Sequence, residues 1–187
     1  MEPSAAAPPR DYRMLVPREW FRIDLTKDRW RAQLKTFVDR GTAGRGVSAE
    51  VTRHVWTTLR NTAEAGRARG AMEFFLLAAP ATRDGMPPAS LLVSLTPLGD
   101  TPADPSAYAA WLELREPEEG PRREVSVVDL PAGRAVRVRG ATSLDLHIHM
   151  PSDSGYLTLA FASPLLGMTG AMEGLCDAIG GSVGWVH

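Results

Sequence analysis

REVSVVDLPAGRAVRVRGATSLDLHIHMPSDSGYLTLAFA, residues 123–162, is the stretch that decides the fold. Four runs rich in β-branched and aliphatic residues, 123–130, 133–139, 144–150 and 155–162, follow one another, joined only by LPAG, GATS and PSDSG. Gly, Pro, Asp and Ser are turn-forming residues. Links this short cannot hold the crossover that parallel strands require. The four strands are therefore expected to be antiparallel neighbours.

Working outward, WFRIDL (20–25) sets Phe21, Ile23 and Leu25 against Trp20, Arg22 and Asp24, the alternation of a half-buried strand. MEFFLLAA (72–79) is apolar on both faces, so it predicts a strand covered on both sides, with Phe74, Phe75, Leu76 and Leu77 buried. ASLLVSLT (89–96) adds another strand. Helical spacing places Trp30, Leu34, Phe37 and Val38 on one stripe of a helix capped by Thr26 and stopping near Gly41. Ser48 is expected to cap a second helix running to about Arg69, with Val51, Val55, Leu59 and Ala63 inward. Asp104 followed by Pro105 opens a third, carrying Tyr108, Trp111 and Leu112. Leu165, Met168, Met172, Leu175 and Ile179 mark a closing helix over 164–179. DGMPP (84–88) reads as a turn and REPEEGPRR (115–123) as a charged loop. The order β-α-α-β-β-α-β-β-β-β-α gives an α+β class, a largely antiparallel sheet flanked by helices. Residues 1–13, rich in Pro and Ala, are expected to be a disordered tail, and residues 14–187 a single domain.

The 187 residues carry 21 basic and 22 acidic side chains, so net charge does not point to nucleic acid or an anionic membrane. The charge is uneven: residues 1–70 hold 14 basic and 8 acidic groups, residues 71–187 hold 7 and 14. Arg53, Arg60 and Arg67 form a basic stripe on the second helix, but no aromatic or Gly-rich reader accompanies it, and a nucleic-acid partner is not expected. No secretory signal is read at the N-terminus and no run approaches the roughly 20 apolar residues of a membrane span, so a cytoplasmic location is expected. The single cysteine, Cys176, borders the apolar stripe of the last helix beside Asp177 and one turn from Glu173, the setting of a packed thiol. Two lysines among 21 basic residues, with many Ala, Gly and Pro, suit a GC-rich bacterial source. Nucleophile-elbow, phosphate-loop, dinucleotide and zinc-protease motifs are not found.

The one constellation with chemistry is LDLHIHM (144–150). Asp145, His147 and His149 alternate with Leu144, Leu146, Ile148 and Met150. A metal-dependent enzyme using Asp145, His147 and His149 is one reading. The cupin pattern is not met, because Gly140 stands seven before His147 and Asp153 stands where a glutamate is needed. The other reading pairs this strand with 133–139 so that Val136 and Val138 share a face with Leu144 and Leu146. Arg137, Arg139, Asp145, His147 and His149 would then lie on a common solvated face. Arg137, Arg139, His147 and His149 become a candidate surface for a protein partner, with no cofactor, and the arginines oppose a cation.

WFRIDL (20–25), VVDLPAGRAVRV (127–138), LTLAFASP (157–164) and LCDAI (175–179) together resemble a family of uncharacterised actinobacterial proteins with a Mog1/PsbP-like α/β fold. The resemblance spans most of residues 14–187 and departs at the glycines 167, 170 and 174. It implies an antiparallel sheet flanked by helices and no catalytic residues. Members of the wider fold serve as binding or accessory proteins, so the expectation is a non-enzymatic binding domain.

Overall fold

A computed structural model describes residues 9, 11–78, 86–115 and 121–187. Its element order is β1 (Asp11–Arg13), β2 (Trp20–Asp24), α1 (Trp30–Thr42), α2 (Ala49–Ala68), β3 (Ala71–Leu77), β4 (Ser90–Pro97), α3 (Pro105–Glu113), β5 (Glu124–Leu130), β6 (Gly133–Arg139), β7 (Ser143–His149), β8 (Gly155–Ala162), α4 (Gly170–Gly181) and β9 (Gly184–Val186). Seven strands form one sheet in the order β2-β3-β4-β8-β7-β6-β5, every neighbour antiparallel. The α+β class and the order of elements are as the sequence predicts. The hairpins β5–β6–β7–β8 follow from their short links, and β4 joins this meander to β2–β3 by pairing with β8.

Helices cover both faces. On one, here face A, α1 and α2 pack Trp30, Leu34, Val38, Val55, Leu59 and Ala63 against Ile23, Phe74 and Leu76. At the other end of face A, α3 sets Tyr108 and Ala109 on Val136, Val138 and Tyr156. On face B, α4 contributes Cys176 and Ile179 to a core with Leu91, Val93, Leu144, Leu146, Ile148, Leu157, Leu159 and Phe161. Phe74, Phe75 and Leu76 are buried and Leu77 is half-buried, as a strand apolar on both faces requires.

Three boundaries differ from the sequence reading, each for a local reason. Thr26 does not cap α1; its hydroxyl and N–H both bond the Asp24 carboxylate, and the helix starts only at Trp30. The closing helix starts at Gly170, not at 164, because Gly167 sits at φ +74° and Thr169 caps the helix by accepting from the Met172 N–H. Leu165 and Leu166 are consequently exposed. Of the expected tail, Asp11–Arg13 form a strand paired with Gly184–Val186, while residues 1–8 and 10 lie outside the described residues. So do residues 84–85 of the expected DGMPP turn and 116–120 of the charged loop. Ser48 and Asp104 cap α2 and α3 as expected, accepting from Val51 and Ala107 N–H groups.

Candidate functional site on the sheet face between the helices

The β6–β7 register overturns the common face expected for the arginines and histidines. Ala135 opposes Ile148, Val136 opposes His147, Arg137 opposes Leu146 and Val138 opposes Asp145. The cause is the turn. Gly140 N–H donates to Ser143 O across a two-residue link, Ala141–Thr142, and that length shifts the pairing by one residue. Val136 and Val138 therefore go to face A under α3, while Leu144, Leu146 and Ile148 go to face B under α4. Each strand has its apolar side covered, but by different helices. A rule that puts all apolar residues on one face fails when both faces are covered.

Arg137 and Arg139 lie on face B against α4. Arg137 donates to Glu173 Oε2 at 2.9 Å and to Asp177 Oδ1 at 3.1 Å, and Arg139 donates to Glu173 Oε1 at 2.6 Å. The two guanidinium groups hold the Glu173 carboxyl below its ordinary range. These arginines fasten a helix to the sheet and do not share a surface with the histidines.

Asp145, His147 and His149 do share face A. His147 Nδ1 is 3.0 Å from Thr158 Oγ1, and its ring meets Tyr108 edge-on at 5.3 Å. Burial under α3 lowers its pKa from 6.5 to about 4, with the Arg123 guanidinium adding to the effect. Burial raises the Asp145 carboxyl to about 6, against the opposing pull of Arg123. His149 Nε2 stands 3.0 Å from Asp153 Oδ1 without hydrogen-bonding alignment. Among the described residues, no group of three His, Cys, Asp or Glu side chains could hold a metal. Side chains at alternate positions of one strand stand side by side, and here His147 turns to Thr158 and His149 to Asp153, so the three do not converge.

The same face shows what the sequence reading missed. Along β4, face A carries Ser90, Leu92, Ser94 and Thr96; along β8, Thr158, Ala160 and Ala162; along β7, Ser143 and Asp145. All but Thr158 are half-exposed, whereas their face B neighbours Leu91, Val93, Leu157, Leu159, Phe161, Leu144 and Leu146 are buried. The signal was the alternation of small or polar with large apolar residues in SLLVSLT and YLTLAFA. Tyr156 closes one end of this strip, the single proton of its hydroxyl shared between Pro102 O at 2.9 Å and Ala103 O at 2.8 Å.

Elsewhere, Cys176 is fully buried and its thiol is pushed up to about 12, chiefly by desolvation, so it is an inert core group. An opening of about 590 Å³ lies between β1 and β2, lined by Tyr12, Arg13, Arg18, Arg22 and Glu73 among others. There the Tyr12 hydroxyl donates to the buried Glu73 carboxylate, which also pairs with Arg22. No helix among the described residues is long and apolar enough to cross a membrane. Compared with protein-family models, curated proteins and solved structures, the chain matches none significantly.

Proposed function

We propose that the chain is a non-enzymatic binding domain that takes a segment of a protein partner on the half-exposed strip of face A. The observation that carries this reading is the contrast between the faces: apart from Leu95 at its end, the same three strands present buried Leu, Val, Ile and Phe to face B, and around Leu92 they present half-exposed Ser, Thr and Ala to face A. A floor of small side chains lets a partner backbone approach the sheet closely.

The borders favour a single segment. On one side Leu92 of β4 lies beneath Gly66 of α2; on the other Tyr108 of α3 packs on His147 of β7 and Tyr156 of β8. Only the side chains between these borders are open, which suits one extended chain and not a broad surface. The hydroxyls of Ser90, Ser94 and Thr96 and the Asp145 carboxyl are the polar groups that would orient it. The resemblance to binding and accessory proteins of the Mog1/PsbP-like fold agrees with this reading at the level of fold. The metal-dependent alternative has less support, because Asp145, His147 and His149 do not converge.

The test is to pan a random peptide library of roughly 12 residues displayed on phage, against the full chain and its Ala160→Trp variant. Peptides enriched on the wild type should bind the variant about ten-fold or more weakly, because the indole fills the strip. Peptides that bind both proteins equally, or no enrichment at all, would overturn the reading.

A further inference from the structure

We infer that β5 is a self-complementary edge through which two copies of this chain join into one continuous sheet. β5 is the last strand of the seven, and nothing among the described residues pairs with its outer side. It has seven residues, runs in unbroken register with β6 and contains no proline. Val125, Val127, Val128 and Leu130 are each only half-buried. A long, regular, apolar edge of this kind is normally shortened, charged, bulged or covered, because it is a ready template for another strand.

The backbone shows which groups are available. The Gly140–Ser143 closure is a hydrogen-bonded pair, and bonded and non-bonded pairs alternate along an antiparallel ladder. Val138 and Val136 therefore turn their N–H and C=O groups to β7, while Arg139, Arg137 and Ala135 turn theirs to β5. Their partners on β5 are Glu124, Ser126 and Val128. The N–H and C=O groups of Val125, Val127 and Asp129 consequently point off the edge.

A two-fold axis at Ser126 uses these groups directly. Val125 of one copy then faces Val127 of the other, twice. Arg123 faces Asp129 of the other copy, also twice, and Glu124 faces Val128. The cross-copy pairs are valine with valine, arginine with aspartate, Ser126 with itself and Glu124 with Val128, so no like charges oppose each other. The axis stands perpendicular to the sheet, so both copies keep α3 on the same side. Because α3 packs over β5 and β6, the two α3 helices would lie about two strand spacings apart, roughly 10 Å, the distance of packed helices. The interface is isologous and closed, which suits a dimer and not a filament.

Sedimentation of the full chain measures the outcome, because a dimer has twice the 20.3 kDa mass of the chain. Val127→Pro removes an outward N–H without touching the β6 ladder and should give a monomer. Arg123→Asp and Asp129→Arg should each weaken the dimer about ten-fold or more, and the double variant should restore it, because each reversed charge then meets its complement in the other copy. A chain that stays monomeric up to about 1 mM overturns the proposal. So does a dimer indifferent to Val127→Pro. A dimer lost in both single variants and not regained in the double variant overturns this register, and the proposal with it.

Discussion

At the scale of the residue, Asp145 and His147 are two neighbours whose burial has opposite consequences for stability. Asp145 titrates near 6 in the folded chain against an ordinary value of 3.8. The folded state therefore holds that proton more tightly than the unfolded state, so stability falls as the pH rises from about 3.8 to about 6, and the loss is complete above 6. His147 titrates near 4 against 6.5, so the unfolded state holds its proton more tightly and stability is lost as the pH falls from 6.5 towards 4. Between about pH 4 and 6 the two slopes oppose each other. Asp145→Asn should therefore raise stability at pH 7.5 by about 1–3 kcal/mol, an advantage that shrinks to nothing as the pH falls to about 4. His147→Phe should show the reverse: relative to the wild type it gains as the pH falls from 6.5 to 4. Urea melts of the three proteins across pH 4–8 check both. Parallel curves for Asp145→Asn and the wild type would show that the carboxyl is solvated. The alternation in LDLHIHM identified which side chains share a face, but not that Tyr108 and Val136 would cover it. That depends on α3, nine residues whose position over β5 and β6 no local pattern encodes.

At the scale of the element, the legible features were those set by a single stretch of chain: the alternation of β2, the two-sided apolar run of β3, the Ser48 and Asp104 caps, and the short turns of the β5–β8 meander. The illegible feature was register. LDLHIHM and GRAVRVRG each have one apolar side, and joining those sides on one face is right only for a sheet covered once. Here Val136 and Val138 have α3, Leu144 and Leu146 have α4, and the opposite side of each strand still has to be satisfied. Arg137 shows how. Its side chain is 14% exposed and lies between Glu173 and Asp177, so the polar side of β6 is matched by an acidic side of α4. Arg137→Ala should cost about 1–3 kcal/mol, more than an exposed pair, because it leaves Glu173 with Arg139 alone in a partly buried setting. The measurement is a urea titration with Arg53→Ala on exposed α2 as control, which should stay within about 0.5 kcal/mol. Equal losses would mean that the Arg137 contacts contribute no more than solvated ones.

At the scale of the whole molecule, the two ends of the chain close on each other. Asp11–Arg13 pair with Gly184–Val186, Leu15 N–H donates to Ser182 Oγ at 2.8 Å, and Trp185 Nε1 donates to Ala132 O at 2.7 Å. Tyr12 extends this closure to the opposite sheet edge, where its hydroxyl meets the Glu73 carboxylate already paired with Arg22. Glu73 is 8% exposed on β3, next to the edge strand β2, so each of its two partners matters. The sequence of residues 1–13 shows none of this. A Pro- and Ala-rich stretch carries no periodicity, and a three-residue strand is fixed by the strand it meets, 173 residues further on at Gly184–Val186. If residues 1–13 were an unattached tail, their removal would leave stability unchanged. The pairing predicts otherwise. Deletion of residues 1–13 should lower stability by about 2–4 kcal/mol, from a lost two-strand ladder, a half-buried tyrosine and a buried carboxylate stripped of one donor. Tyr12→Phe in the full chain should reproduce about 1–2 kcal/mol of that, because it removes the donor and keeps the ring. Amide exchange distinguishes local closure from global support: in the deleted chain, Trp185 and Val186 should lose protection entirely while Leu159 and Leu146, in the middle of the sheet, keep theirs up to the reduced global stability. Unchanged melting of the deleted chain would return residues 11–13 to the status of a tail.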